Sequence, residues 1–190
     1  YLGYMRQDKA FHSGEAVTSN LFAELLSGWV DALITIDPHL HRHHDLAEIY
    51  SIPTTVLHAG PLVEEYIKKH ISNPVLIGPD EESEQWVAAT AGRVGCEFSV
   101  LKKKRFGDRE VRISVPDAPK FRQHTPVLVD DIISTGRTMM ETAGHLREHG
   151  LQMPVCIGIH AVFAGDALEE MCRSGIETII TTNTCLLYTS

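Results

Sequence analysis

The chain lacks any apolar run near the roughly 20 residues that a membrane-spanning helix needs, and we expect no signal peptide before its first pattern. Its four cysteines are scattered, without a Cys-x-x-Cys pair, so they give no sign of a zinc site or a disulfide framework. Internal repeats and low-complexity tracts are missing as well. These absences predict a globular protein of a reducing compartment, with the cytoplasm as the default.

Positive charge is also scarce. The formal net charge is −8 over 190 residues, which argues against a general nucleic-acid or anionic-membrane binder. The exception is a basic cluster at residues 102–105 (KKKR). It can be a solvated hairpin, or it can attract an anionic substrate. The hydrophobic fraction of 43% is that of an ordinary globular protein.

Apolar strands alternate with helical patterns along most of the chain. We predict strands at residues 32–36, 55–57, 75–77, 98–101, 110–115, 127–129, 155–159 and 178–181, and helices at 61–69, 81–94, 137–149 and 165–172. A first helix is predicted with Ser13 as its cap and an apolar stripe at Val17, Leu21, Leu25 and Trp29. This alternation predicts an α/β fold with a doubly wound, mostly parallel sheet.

The chain is predicted to hold two parts. A shift in composition near residues 51–54 divides residues 1–52, the C-terminal part of an N-terminal domain, from a second domain at residues 53–184. Residues 185–190 continue no pattern, so we expect a non-native tail there. Because the chain opens on Tyr1 rather than Met, we also expect natural residues before it.

One stretch ends an apolar strand with two adjacent acids. Residues 127–138 read VLVDDIISTGRT, so Asp130 and Asp131 precede a turn with hydroxyl groups and a glycine, and then a helix. The amide groups that open a helix favour an anion. Carboxylates accept sugar hydroxyls or hold a metal ion, so the stretch predicts a site for a phosphorylated sugar. An ordinary strand–turn–helix with surface acids is the alternative.

Polar residues follow three further predicted strands. They are Asp37 with His39, Asp80 after Pro79, and the basic cluster. Ligands of open α/β sheets bind outside the carboxyl ends of the strands, where these residues would meet. Asp80 has a simpler interpretation, as the cap of the helix that follows it.

Histidines at alternate positions also suggest a site for a transition metal. His39, His41 and His43 would share one side of an extended segment. A polar, solvated loop is the simpler interpretation.

The stretch at residues 127–138 resembles the ribose-binding motif of type I phosphoribosyltransferases. With the other clusters, the chain resembles the ribose-phosphate pyrophosphokinase family from Tyr1 to about Thr184. The matching residues are Tyr4-x-Arg6-Gln7-Asp8-Lys9, Asp37-x-His39, Pro79-Asp80, Lys103-x-Arg105, the Asp130–Thr138 motif, His160 and Thr182-Asn183-Thr184. The resemblance implies two phosphoribosyltransferase-like domains. It also implies transfer of pyrophosphate from ATP to the 1-hydroxyl of ribose 5-phosphate, giving phosphoribosyl pyrophosphate and AMP for nucleotide biosynthesis.

The resemblance implies roles for the matching residues. Lys103 and Arg105 would be catalytic, since cations stabilise charge on the transferred phosphoryl oxygens. Arg6 and Gln7 would contact ATP. The residues implied to bind ribose 5-phosphate are Arg105, Asp130, Asp131, Ser134, Thr135, Gly136, Arg137 and Thr138.

The cofactor implied by the resemblance is Mg²⁺. His39 and Asp80 would hold it mainly through its water shell, because this ion dehydrates reluctantly. The implied partners are ATP and ribose 5-phosphate, with neither nucleic acid nor membrane. The family also implies a homo-oligomer in the cytoplasm.

The chain departs from the family pattern in places. Residues 81–83 are Glu-Glu-Ser where the family often has a glycine pair, and Arg137 stands where glycine or alanine is common. We expect the family's N-terminal half-domain to be missing, which leaves the ATP site incomplete and the fragment inactive. Two alternatives stay open. A nucleobase phosphoribosyltransferase would use the same sugar-phosphate loop but leaves the Arg6 and Lys103 motifs unexplained. A regulatory homologue would bind the sugar phosphate without turnover.

Overall fold

The computed structural model describes residues 1–10, 12–40, 42–106 and 110–185; for residues 82, 103–106 and 110–112 it describes the backbone alone. Contacts divide the chain into two compact units, Tyr1–Ala59 and the part from Gly60 onward. Both are built from helices and parallel strands, so the predicted α/β class is confirmed. None of the described helices is long and apolar enough to cross a membrane.

The first unit combines one helix with a parallel pair of strands. Its elements are β1 (Leu33–Ile36), β2 (Thr54–Leu57), α1 (Thr18–Ser27) and a short 3-10 helix, Leu46–Glu48. Strands β1 and β2 pair in parallel, and for this reason the boundary between the units falls after Ala59 rather than after Ile52. That residues 1–52 and 53–184 are two domains of one kind stays a prediction.

Helix α1 differs from the prediction in its start and in its buried face. It begins at Thr18, so the predicted cap at Ser13 is wrong. The predicted apolar stripe is exposed at Leu21, Leu25 and Trp29. The buried residues are instead Ser19 and Ala23. Small side chains on that face let the helix lie close to the core of its unit, which includes Leu2, Met5, Leu46 and Tyr50.

The second unit is built around a five-stranded parallel sheet. In chain order, the strands of this unit are β3 (Pro74–Gly78), β4 (Glu97–Val100), β5 (Lys102–Phe106), β6 (Glu110–Ser114), β7 (Thr125–Ile133), β8 (Val155–Ala161) and β9 (Thr178–Thr181). Its helices are α2 (Gly60–His70), α3 (Glu84–Val94), α4 (Arg137–Glu148) and α5 (Ala167–Arg173). The sheet has the order β4-β3-β7-β8-β9, and β5 and β6 form an antiparallel hairpin. The predicted parallel sheet is therefore confirmed.

The central strands are buried. Val75, Leu76 and Ile77 of β3 are each at most 1% exposed, as expected for strands covered on both faces. Cys156 of β8 is fully buried in the same core. Burial raises the pKa of its thiol to about 12, so Cys156 stays protonated and packs as a small apolar side chain.

Strand β7 runs further than predicted, through both acids to Ile133. In its register with β8, Asp130 lies opposite Gly158. A Cβ added to Gly158 would lie 2.4 Å from Cδ1 of Ile133, so the glycine makes room for that side chain. Adjacent aspartates are poor strand formers, and the local sequence therefore predicted an earlier end. Pairing with β8 outweighs that preference here.

Candidate functional site

A tight turn joins β7 to α4. We call residues 134–136 the β7–α4 turn. Gly136 is the N-cap of α4 and has a φ of 67°, a left-handed conformation that favours glycine. Glycine has no side chain with which to cap the helix, and the first-turn amide groups of α4 face that end. Thr135 Oγ1 lies 3.5 Å from the Arg137 amide, at the outer limit of a hydrogen bond. This is the geometry of an anion-binding helix start.

The segment after β8 holds this turn through backbone hydrogen bonds. The Val162 and Phe163 amides both donate to the Ile133 carbonyl at 3.0 Å. The Ala164 amide donates to the Ser134 carbonyl, also at 3.0 Å. The turn is therefore fixed from the neighbouring strand end as well as by its own sequence.

The two acids lie on the last part of β7, both partly buried. The Asp131 amide donates to Asp130 Oδ1 at 2.9 Å, which orients that carboxylate. A hollow beside Asp130 is lined also by Pro79, Thr138 and Met139. Pro79 follows β3 and Thr138 opens α4. The ends of β3 and β7 thus meet at one hollow, as the sequence predicted.

Asp80 caps the short 3-10 helix Glu81–Ser83. Its Oδ1 accepts the Ser83 amide at 3.0 Å, and Ser83 Oγ donates to the Asp80 carbonyl at 2.6 Å. A Cβ on Gly78 would lie 2.4 Å from Ser83 Oγ, so that glycine accommodates the serine. The structure thus shows the capping role that was the alternative for Asp80. A role in Mg²⁺ binding stays a prediction.

In the first unit, β1 is followed by Asp37, which ties the ends of β1 and β2 together. Its Oδ1 lies 2.8 Å from His58 Nδ1, and its Oδ2 accepts the Ala59 amide at 2.8 Å. His39 lies two residues further along, in a different unit from Asp80. The other predicted metal ligand thus belongs to the shorter of the two units.

The histidine-rich loop does not form a transition-metal site in the part of the chain that the structure describes. No group of three or more His, Cys, Asp or Glu side chains converges there, and His41 lies outside the described residues. His43 Nδ1 is 3.2 Å from Glu48 Oε2, and the His44 amide donates to Glu48 Oε1. The hydrogen bond from the His44 amide, and then the contact with His43, lower the pKa of the Glu48 carboxyl.

The donor set still suits Mg²⁺. This ion prefers oxygen ligands, keeps several waters and needs only one or two protein carboxylates beside substrate phosphates. Asp130 lines the hollow, and Asp80 directly follows Pro79, which lines it too. A cluster of three protein ligands is therefore not required for a magnesium site.

Gln7 has a structural role that the sequence did not reveal. Its Oε1 accepts the Thr18 amide at 2.7 Å, its carbonyl accepts the Ser19 amide at 3.2 Å, and its Nε2 donates to the Ala16 carbonyl at 2.9 Å. Gln7 thus caps α1 from 11 residues away. Arg6 beside it is exposed. Contact of either residue with ATP stays a prediction.

The basic cluster lies on the β5–β6 hairpin. The backbones of Lys103 and Arg105 pair with Ile113 and Val111 of β6. Their side chains lie outside the described part of the structure. The hairpin itself agrees with both interpretations of the cluster, and the catalytic roles of Lys103 and Arg105 stay predictions.

A polar network around a buried histidine joins the ends of β8 and β9. His160 is 1% exposed, and its Nδ1 lies 2.8 Å from Thr184 Oγ1. Thr182 Oγ1 donates to the Ile159 carbonyl at 2.6 Å and accepts the Thr184 amide at 3.2 Å. These bonds fix the turn after β9. Only the family resemblance pointed to these residues in the sequence.

Comparison with known proteins places this fold and site in a family. Residues 45–184 match the model of the phosphoribosyl transferase domain, and the chain belongs to this family. The ribose-phosphate pyrophosphokinase of Methanothermobacter thermautotrophicus is 34% identical over 185 residues, 97% of this chain and 63% of that protein. Ribose-phosphate pyrophosphokinase 2 of Archaeoglobus fulgidus is 37% identical, over 97% of this chain and 65% of that protein. The chain thus spans less than two thirds of these curated relatives.

Solved structures agree with this assignment. The crystal structure of phosphoribosylpyrophosphate synthetase from Mycobacterium smegmatis matches with a TM-score of 0.80 and 25% identity, over 98% of this chain and 60% of that one. Adenine phosphoribosyltransferase from Thermoanaerobacter pseudethanolicus shares the fold alone, with a TM-score of 0.50 and 15% identity over 65% of this chain and 76% of that one. The resemblance predicted from the sequence, and the phosphoribosyltransferase-like fold, are confirmed.

Proposed function

We propose that this chain belongs to a ribose-phosphate pyrophosphokinase, which transfers pyrophosphate from ATP to the 1-hydroxyl of ribose 5-phosphate. The products would be phosphoribosyl pyrophosphate and AMP. The observation that carries the proposal is the extent of the likeness. Pyrophosphokinases and a phosphoribosylpyrophosphate synthetase match 97–98% of the chain, whereas the adenine phosphoribosyltransferase matches 65%. A nucleobase phosphoribosyltransferase therefore leaves about a third of the chain without a counterpart, by subtraction from that 65%.

The acceptor site would be built on the β7–α4 turn. The first-turn amides of α4 and the hydroxyls of Ser134, Thr135 and Thr138 would hold the 5-phosphate. The exposed side chain of Arg137 adds positive charge at the same place. Asp130 and Asp131 would accept the ribose hydroxyls from the strand side. Anion and sugar are thus recognised by adjacent elements of one strand–turn–helix unit.

The donor side rests on residues whose roles come from the family. Lys103 and Arg105 would stabilise charge on the transferred phosphoryl oxygens, and Arg105 would also contact ribose 5-phosphate. Arg6 and Gln7 would contact ATP. When bound, Mg²⁺ would neutralise phosphate charge, held by His39 and Asp80. We further propose two phosphoribosyltransferase-like domains, at residues 1–52 and 53–184, and a homo-oligomer in the cytoplasm.

The experiment that tests the proposal supplies ATP, Mg²⁺ and ribose 5-phosphate and follows AMP and phosphoribosyl pyrophosphate. It is run on this chain and on a version extended to the full length of a curated relative. Both products are expected from the extended version. Ribose 5-phosphate binding without AMP would favour the regulatory homologue. Turnover of a nucleobase with phosphoribosyl pyrophosphate would favour the phosphoribosyltransferase.

The Lys103→Ala variant tests the catalytic role within that experiment. Turnover should fall by about a hundredfold or more, because charge stabilisation at the transferred group is lost. Binding of ribose 5-phosphate should stay within about twofold of the wild type, a factor worth under 1 kcal/mol. Lys69→Ala is the matched control, since Lys69 forms a surface ion pair with Glu65 and should change neither quantity. Unchanged turnover in Lys103→Ala would refute its role.

A further inference from the structure

The β7–α4 turn is in contact with a buried methionine from a different helix. Gly136 is buried, and a Cβ added to it would lie 2.5 Å from Sδ and 2.7 Å from Cγ of Met171. Met171 belongs to α5 and is fully buried. The thioether therefore packs directly against the backbone of the turn, at the residue that opens α4.

Met171 is itself firmly placed. It belongs to the main hydrophobic core of the second unit, together with Ile133 and Leu146. Its carbonyl accepts the hydroxyl of Ser174 at 2.7 Å and the amide of Ile176 at 3.3 Å. These bonds hold the Met171 backbone, and the core encloses its side chain, so the thioether can set the position of the backbone that packs on it.

The segment between β8 and α5 holds the β7–α4 turn at a second point. The segment 162–164, which leads from β8 towards α5, donates three backbone hydrogen bonds to Ile133 and Ser134. Those bonds fix the beginning of the turn, and Met171 supports its end at Gly136. Binding through backbone amides depends on their placement to within about 0.5 Å, which such a supporting layer provides.

We propose that Met171 is a positioning residue for the sugar phosphate. Its side chain forms the floor under Gly136 and thereby aims the first-turn amides of α4 at the 5-phosphate. Removing this floor leaves a void into which the glycine can sink, and the amides then point away from the phosphate. This inference rests on the proposed function, because it concerns the ribose 5-phosphate site of that function.

The test compares two truncations of the same core by calorimetric titration with ribose 5-phosphate. Met171→Ala removes the floor. Leu146→Ala removes a fully buried side chain from the same core cluster, about 14 Å along α4 from its first residue at 1.5 Å per residue. Both variants should lower the melting temperature. Only Met171→Ala should weaken ribose 5-phosphate binding, by about tenfold, as misplaced binding groups do.

Rescue by a residue of similar volume distinguishes positioning from general loss of stability. Met171→Leu refills the space and should bind within about twofold of the wild type. If Met171→Ala does not fold, Met171→Val and Leu146→Val replace the pair and carry the same expectation with a smaller change. Equal affinities for the Met171 and Leu146 truncations would overturn the inference. If the wild-type chain itself fails to bind ribose 5-phosphate, both the proposed acceptor site and this inference are refuted.

Discussion

The segments that follow β1, β3 and β7 differ in whether an acidic side chain caps the backbone amides that come next. After β1 and β3, Asp37 and Asp80 accept amides of the chain itself, from Ala59 and Ser83. After β7, the helix start is occupied by Gly136, which offers no side chain. We call such a strand end, whose following amides are capped by a side chain of the protein, a structural joint. A helix start whose N-cap is a glycine receives no side-chain cap from that residue, and its amides can bind an anion, so the residue type alone does not separate a joint from a site.

The sharpest way to break this comparison is to fill the glycine. Gly136→Ala introduces a Cβ at a φ of 67° and 2.5 Å from the Met171 sulfur. We expect ribose 5-phosphate affinity to fall about a hundredfold, because the turn must shift. Stability should fall by about 2 kcal/mol or more through left-handed strain and overpacking. Titration and urea unfolding measure the two effects.

The matched control for this variant lies in the same helix. Gly144 of α4 has nothing within 4 Å of an added Cβ, so Gly144→Ala should bind normally and gain up to about 1 kcal/mol of stability. Equal behaviour of the two alanine variants would remove the distinction between Gly136 and an ordinary helical glycine.

A second variant tests whether Asp37 is a joint. Asp37→Ala removes the acceptors of His58 and of the Ala59 amide, so the free energy of unfolding of the first unit should fall by about 2 kcal/mol. Urea unfolding followed by circular dichroism measures the loss. The control is Asp166→Ala, since Asp166 at the start of α5 makes no capping hydrogen bond. A loss no greater than that of the control would contradict the joint.

Asp80 can be tested for both of its interpretations at once. Asp80→Ala should cost about 1 kcal/mol, as the loss of a helix cap does. Asp80→Ser keeps a hydroxyl that can accept the Ser83 amide but removes the carboxylate, so stability should recover. If Asp80 also holds Mg²⁺, the serine variant should be as stable as the wild type and still need more Mg²⁺ for turnover. If the serine variant matches the wild type both in stability and in the Mg²⁺ concentration needed for turnover, Asp80 is a helix cap alone.

The features that local sequence encodes were the ones that could be predicted. Buried strands show as apolar runs, and the start of α4 shows as a glycine turn, so the sheet and the β7–α4 turn were visible. The extension of β7 to Ile133 was not, because it depends on pairing with β8 and on the space that Gly158 leaves. Met171 carried no signal, since its contact with Gly136 arises only when α5 packs. Contacts between distant segments, rather than composition, decided each of these points.

The smallest expected effect concerns the cap that the sequence misplaced. Gln7→Ala should destabilise α1 by about 1 kcal/mol because the Thr18 amide loses its acceptor, while Ser13→Ala should change nothing. Gln7→Glu keeps the acceptor of the Thr18 amide but loses the Nε2 donor to the Ala16 carbonyl, so it should restore part of the stability, measured by urea unfolding. If Gln7 also contacts ATP, the added negative charge should raise the KM for ATP in the extended version of the chain. Restored stability with an unchanged KM would leave Gln7 as a structural joint like Asp37, and Arg6 as the predicted ATP contact at this place.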